Sequence, residues 1–228
     1  MDVSAADAYA PAYFRDQVAK SDAKITWEYD RLLGFAGARP RPGLRVADLG
    51  CGAAPGLRYF AARGVDAVGL DIAPAGLRAA RALLPGSRLV CADLAAGLPL
   101  RSASLDLVIL REVIEHVANV PLLLAECRRV LRPGGRLVLT TPNRWDARRP
   151  VYHLTGRIWS GAADPTHVSL FDPPGLRRAL AAAGFARPRV ASGFKPLLRL
   201  GGRRLPLRLS IPYPPLVGNG LLAAGRVP

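Results

Sequence analysis

Residues 111–117 read REVIEHV, which sets Glu112, Glu115 and His116 three and four positions apart; a further histidine, His167, stands downstream in DPTHVSLF. On a helix that spacing puts both carboxylates and the imidazole on one face. Such a face could hold a divalent cation such as Mg²⁺, with Glu112, Glu115 and His116 as ligands and His167 able to complete the set, and the ion would lower the pKa of a hydroxyl beside it. Without a metal, His116, His167 or Glu112 could instead take a proton from a reacting group. The structural alternative is that acidic residues favour a helix's first turn while His116 buttresses a pocket and His167 bonds backbone.

A second group lies upstream in VADLGCGAAPG, residues 46–56, where Asp48 precedes a bend built from Gly50, Cys51 and Gly52. Glycine lets backbone pass close to a ligand where a Cβ would collide. The bend has no lysine and no GxxxxGK[ST] pattern, and a GxGxxG loop would need a third glycine at Pro55, so a phosphate cradle and a nicotinamide site are both disfavoured. VGLD ends in Asp71, a carboxylate able to accept from a ribose diol. Cys91-Ala92-Asp93 ends the next apolar run; Asp93 could accept from an adenine amino group or simply form a turn.

These residues need a frame, and the chain alternates short apolar runs with helical ones. Strands are expected at 44–49, 66–71, 87–93, 104–111 and 136–142, and helices at 55–64, 74–84 and from Val120 to Leu131. Repeated βα units with continuous apolar strands predict an α/β fold, a doubly wound and mostly parallel sheet covered on both faces. Two closing strands bring the count to seven. Residues 1–40 read as an N-terminal helical cap, 44–142 as the core, 143–172 as an insertion after the fifth strand, and 173–228 as a closing helix and strands of the same single domain. In the insertion, Trp145, Tyr152 and Trp159 could line an aromatic pocket or form a small core of their own, and His153 adds little. Asp172 in DPPG reads as a helix N-cap.

The 228 residues are 50% hydrophobic and 21% charged, a composition suited to a folded α/β domain. No apolar run is long enough to span a bilayer, and no basic segment followed by an apolar core opens the chain. Three dispersed cysteines without metal spacing point to reduced thiols and a cytoplasmic setting. The net charge of +15 is uneven: residues 1–127 carry 14 Lys+Arg against 14 Asp+Glu, and residues 128–228 carry 18 against 3. Since 29 of the 32 basic residues are Arg, the bias could be compositional, or it could serve an anionic substrate, a membrane surface or nucleic acid.

VADLGCGAAPG, VGLD, CADL, LDLVILREVIEHV and VLRPGGRLVLTTPN, in this order, resemble the class I S-adenosylmethionine-dependent methyltransferases, most nearly the small-molecule branch related to ubiquinone-biosynthesis O-methyltransferases. THVSLFDPPGLRRALAAAGF, residues 166–185, is similar to the segment that closes over substrate in that branch. The usual third glycine of the loop falls at Ala54, a departure from the pattern. The resemblance implies a cofactor, S-adenosyl-L-methionine, with Asp48, Gly50, Cys51 and Gly52 at its methionine part. Asp71 and Ile72 would lie at the ribose, Asp93 and Leu94 at the adenine, and Leu110 and Arg111 at the sulfonium side. It implies a small-molecule acceptor with methylation at oxygen, and the Arg-rich second part fits an anionic one. A nucleic-acid methyltransferase and a non-catalytic cofactor-binding protein of the same fold are the alternatives. The Pro-rich stretch from Lys195 to Pro215 could touch a membrane surface peripherally or simply run over the sheet edge.

Overall fold

The computed structural model describes residues 9, 11–156, 158–159, 161, 164–193 and 218–228. Seven strands form one sheet: β1 (Val46–Leu49), β2 (Ala67–Asp71), β3 (Arg88–Cys91), β4 (Leu105–Arg111), β5 (Leu131–Pro142), β6 (Ala186–Gly193) and β7 (Gly220–Arg226). Their order is β3-β2-β1-β4-β5-β7-β6. The first five run parallel, and β7 is antiparallel to both neighbours. This is the doubly wound sheet that the repeated βα pattern predicts.

Alternation along each strand supplies two faces. Leu107 and Ile109 of β4 join Val46 and Val138 in a core beneath helix α2 (Asp22–Ala36) and helix α3 (Pro55–Ala61). Val108 and Leu110 face the opposite core, with Leu123, Leu124 and Cys127 of α5 (Val120–Val130). Both sides are therefore dry, which is why the strands read as continuous apolar runs. Helix α4 (Pro74–Leu83) completes the first three units.

The cap is more broken than a single helical reading of the first forty residues implies. A 3₁₀ turn at Pro11–Phe14 leads into α1 (Arg15–Val18); the chain then bends before Ser21, whose Oγ accepts from Lys24 N and starts α2. Helix α2 ends on Gly37 in the left-handed conformation (φ 63°). The insertion carries α6 (Arg149–Leu154) and is tied back by a bridge between Asn143 and Phe171. Asp172 caps α7 (Pro173–Ala182), accepting from Gly175 N at 2.6 Å, as the DPPG reading predicts. The stretch from Lys195 to Pro215 lies outside the described residues. Among the described helices none is long and apolar enough to cross a membrane.

One local expectation is corrected. REVIEHV is not a helical face: β4 runs through Arg111, Glu112 turns left-handed (φ 55°), and only Ile114–His116 form a 3₁₀ turn. The Glu115 carbonyl, which an α-helix would offer to its own next turn, instead accepts from Val168 N (2.8 Å) and Ser169 N (2.9 Å) of the insertion. Tertiary bonds thus override a helical spacing.

Candidate active site

All the parallel strands release their chain at one edge, where ligands of open α/β sheets bind. The bend after β1 sits there. Gly50 (φ 71°) and Gly52 (φ 52°) are left-handed; a Cβ at Gly50 would strike the Val113 side chain, and one at Gly52 the Gln17 amide. Asp71 at the tip of β2 latches the bend, its Oδ2 accepting from Gly52 N at 2.7 Å and its Oδ1 from Ala73 N at 2.8 Å. Burial raises the Asp71 pKa, and these backbone bonds oppose the rise.

Asp48 is placed differently from its neighbours in the motif. Its carboxylate is buried under the bend, where it accepts from Tyr29 Oη at 3.3 Å, and a side chain at Gly56 would collide with it. Desolvation pushes it up to about 6, against the pull of the Arg111 guanidinium. Arg111 bonds Glu28 Oε2 at 3.1 Å, and Lys20 shares that oxygen at 2.9 Å. Burial opposes the Arg111 charge, but Tyr29, Glu28 and Asp48 outweigh it. Asp48 and Arg111 therefore belong to a network joining α2 to β1 and β4 beneath the site.

Asp93 is exposed and accepts from Ala95 N at 2.8 Å in a turn, while Leu94 beside it is buried. Ile72 is half-buried, and Leu110 and Cys51 are buried. Burial drives the Cys51 thiol well above its ordinary value, so it stays protonated.

A polar cluster stands at the end of β4. His116 Nδ1 lies 2.8 Å from Thr166 Oγ1, and Thr166 Oγ1 lies 2.5 Å from Asp164 Oδ1. Burial opposes ionisation of Asp164, but the bonds from Thr166 outweigh it and hold the carboxyl below the ordinary range. A carboxylate only accepts, so Thr166 donates to Asp164 and takes the Nδ1–H of His116, leaving Nε2 with a free lone pair. Burial and then His167 hold the His116 imidazole below its usual pKa, which favours the neutral ring. His167 packs beside it with centroids 4.7 Å apart and donates Nδ1–H to Gly161 O at 2.9 Å.

Glu115 is wholly buried; its Oε2 accepts from Thr141 Oγ1 at 3.0 Å and its Oε1 has no partner among the described residues. Burial and then the Glu112 charge push it up to about 8. Donor atoms of Glu115, His116 and His167 lie within 4.8 Å of one another. Glu112 is exposed and outside that group, because its left-handed backbone turns it off the 3₁₀ turn. Two imidazoles and one carboxyl do not match the oxygen-only shell that Mg²⁺ prefers.

Beside His167 opens a cavity of about 610 Å³ lined by Arg144, Arg149, Trp159, Phe171 and neighbouring backbone. Trp159 Nε1 donates to Asp146 Oδ2 at 2.8 Å, and Asp146 is gripped by Arg148, so the indole is fixed. Arg149 lies over the Trp159 ring at 5.0 Å. Trp145, half-exposed, Tyr152, stacked under Arg148, and His153, exposed, do not line this cavity.

Sequence reasoning missed the residues that cover the edge. Gln17 Oε1 accepts from Ala53 N at 3.0 Å, Phe14 is buried with Ala53 and Ala73, and the Tyr9 ring meets His116 edge-on at 6.0 Å. No local pattern announces them, since Gln and Phe in a short helical stretch are unremarkable by type. Asp164 and Thr166 were closer to hand, as polar neighbours of His167 in DPTH.

A seven-stranded sheet with one reversed strand, a glycine bend after β1 and a carboxylate at the tip of β2 make this a doubly wound protein whose ligand site lies at the ends of its parallel strands. A Methyltransferase domain family model matches residues 47–139. The chain is 30% identical over 193 residues to a ubiquinone biosynthesis O-methyltransferase of Chelativorans sp., covering 82% of this chain and 73% of that protein. It is 32% identical over 175 residues to the protein of that name from Maricaulis maris, covering 72% and 68%. A SAM-dependent methyltransferase of Archaeoglobus fulgidus superposes with a TM-score of 0.66 at 18% identity, over 93% of this chain and 97% of that one. The chain belongs to the class I S-adenosylmethionine-dependent methyltransferase family, on the branch similar to the ubiquinone-biosynthesis O-methyltransferases. It is a methyltransferase enzyme, and S-adenosylmethionine is its cofactor.

Proposed function

We propose that the methyl group goes to a hydroxyl oxygen of an anionic, ring-bearing small molecule held in the cavity beside His167. The observation that carries this reading is the His116–Thr166–Asp164 chain. It presents a neutral imidazole with a free Nε2, one ring away (4.7 Å, centroid to centroid) from His167, which lines a cavity walled by two arginines and two aromatic rings. The name of the relatives, which places them in O-methylation, supports it.

Bound S-adenosylmethionine supplies an activated methyl group on a good leaving group, so positioning and desolvation dominate the protein's task. In this reading Asp71 holds the Gly52 amide and takes the ribose hydroxyls with its remaining lone pairs. Asp48 and Arg111 fix the strand tips from below. Gly50, Cys51 and Gly52 offer backbone to the methionine part, and Ile72, Asp93, Leu94 and Leu110 border the remainder. Arg144 and Arg149 orient the acceptor's negative group, and Trp159 and Phe171 pack its ring. His116 Nε2 removes the hydroxyl proton as the oxygen becomes a nucleophile, while Asp164, through Thr166, stabilises the resulting imidazolium. Glu115, protonated, bonds Thr141 and supports the turn. Residues 44–142 then serve the cofactor, 143–172 the acceptor, and the described residues before 41 cover both.

The test supplies methyl-labelled cofactor and a panel of anionic phenols, and follows label into an ether. Transfer to a phenol oxygen that falls with His116→Ala supports the reading. Transfer only to nitrogen or carbon, or none that depends on His116, rejects it.

A further inference from the structure

At the opposite edge of the sheet, where the parallel strands begin, a second cavity of about 460 Å³ opens between the end of α2 and strands β5, β7 and β6. Arg136, Arg187, Arg189 and Arg226 line it, over a floor that includes Phe35 and Val227; Pro228 also borders it, and no Asp or Glu side chain is among the lining residues. Six residues of extended β5 separate Arg136 from Pro142, so this cavity is roughly 20 Å from the methyl-transfer edge.

Three features of the backbone gather these charges. Arg136 and Arg226 are direct cross-strand partners in the antiparallel pair β5–β7, an arrangement of like charges that is unfavourable by itself. Arg189 pairs with Ala224 on β7, two residues from Arg226 and hence on the same face. The register between Ala186 and Arg189 is irregular, and Arg187 there is left-handed (φ 48°), a conformation uncommon for a side-chain-bearing residue.

Part of this arrangement serves the helix. Arg136 Nη1 donates to Ala36 O at 2.5 Å and Arg189 Nη1 to Phe35 O at 3.1 Å, so both cap the last carbonyls of α2. Each guanidinium has five N–H donors, and capping uses one. Arg187 and Arg226 take no part in it. Among the described residues none of the four forms an ion pair. Capping explains two arginines; it explains neither the paired like charges nor the bulge.

We propose that this cavity is a binding site for a phosphate-bearing anion, separate from the methyl-transfer site. Arginine forks match phosphate oxygens bidentately, and an anion there would relieve the Arg136–Arg226 repulsion. The apolar floor leaves room for a carbon-bearing portion attached to the phosphate. The same chemistry is offered by a soluble phosphorylated compound and by an acidic lipid headgroup.

The experiment compares the full chain with the double variant Arg187→Gln/Arg226→Gln, which spares both capping arginines, and with a control, Arg78→Gln/Arg101→Gln, that removes two exposed charges elsewhere. Calorimetric titration with inorganic pyrophosphate tests the soluble source. Flotation with phosphatidylglycerol-containing vesicles, against phosphatidylcholine alone, tests the headgroup. Expected is binding of at least one probe that weakens about tenfold or more in the cavity variant and is unchanged in the control. Pyrophosphate binding that also displaces vesicles places both sources at this one cavity; vesicle retention alone assigns the headgroup. Equal losses in both variants would mean diffuse charge and overturn the proposal, as would no binding of either probe to the unaltered protein. Matching circular dichroism spectra and unfolding midpoints without ligand establish that the variants fold.

Discussion

The amide of Gly52 and the Oδ2 of Asp71 are 2.7 Å apart, so the tip of β2 holds the bend that follows β1. Asp71 is thus a latch, besides the ribose-accepting role proposed for it. Replacing it with alanine leaves the Gly52 and Ala73 amides unpaired in a buried setting, at a cost of about 1–3 kcal/mol each. Asp71→Ala should lower both the unfolding midpoint and the affinity for S-adenosylhomocysteine, the latter by at least about tenfold. Calorimetric affinity near that of the unaltered protein would refute the assignment.

His116→Ala should lower kcat by about 100- to 10,000-fold, the usual range for a general base, with S-adenosylhomocysteine affinity retained. Thr166→Val keeps the imidazole but removes the group that fixes its tautomer, so it should cost less. Because burial and His167 hold the His116 pKa below its ordinary value, the acidic limb of kcat/KM should fall below about 6.5, the ordinary imidazole value. A limb well above neutrality would point to a different base.

Turnover should survive EDTA, and Glu115→Gln should keep most of it. The first follows from a donor set of two imidazoles and one carboxyl, unlike the oxygen shell of Mg²⁺; the second follows from burial, which pushes the Glu115 carboxyl up toward the protonated form that the amide mimics. Loss of turnover in chelator, restored by added metal, would show that the Glu115, His116 and His167 donors work as ligands.

Asp48 predicts a stability slope. Its folded-state pKa, about 6, lies above the unfolded value of 3.8, so the folded state binds the extra proton between them. The associated stability is complete at low pH and is lost as pH rises through about 6, amounting to at most roughly 3 kcal/mol. Urea unfolding at pH 5 and pH 7.5 should show a smaller decline for Asp48→Asn than for the unaltered protein. Equal declines would mean that Asp48 ionises freely.

The sheet and its edge were legible because they rest on strong local signals. Continuous apolar strands, glycines at the bend and Asp71 at a strand end survive any detail of packing. The REVIEHV reading failed for the opposite reason: three-and-four spacing describes a helix only if the carbonyls stay in the helix, and the Glu115 carbonyl bonds Val168 and Ser169 more than fifty residues away. Gln17 was invisible for the same reason, since its partner Ala53 is distant in sequence. The cluster keeps Glu115, His116 and His167, the last of which the sequence could place in the set, and loses Glu112.

In the proposed reading, Tyr9 and residues 11–18 touch both halves of the reaction, through Gln17 and Phe14 at the bend and through Tyr9 at His116. They cannot lift from one without disturbing the other. Entry and departure of the two reactants should therefore be kinetically interlocked, with a compulsory sequence of association and with spent donor leaving slowly under a closed flap. An enzyme so built would respond to its own by-product more strongly than equilibrium affinities for isolated halves suggest.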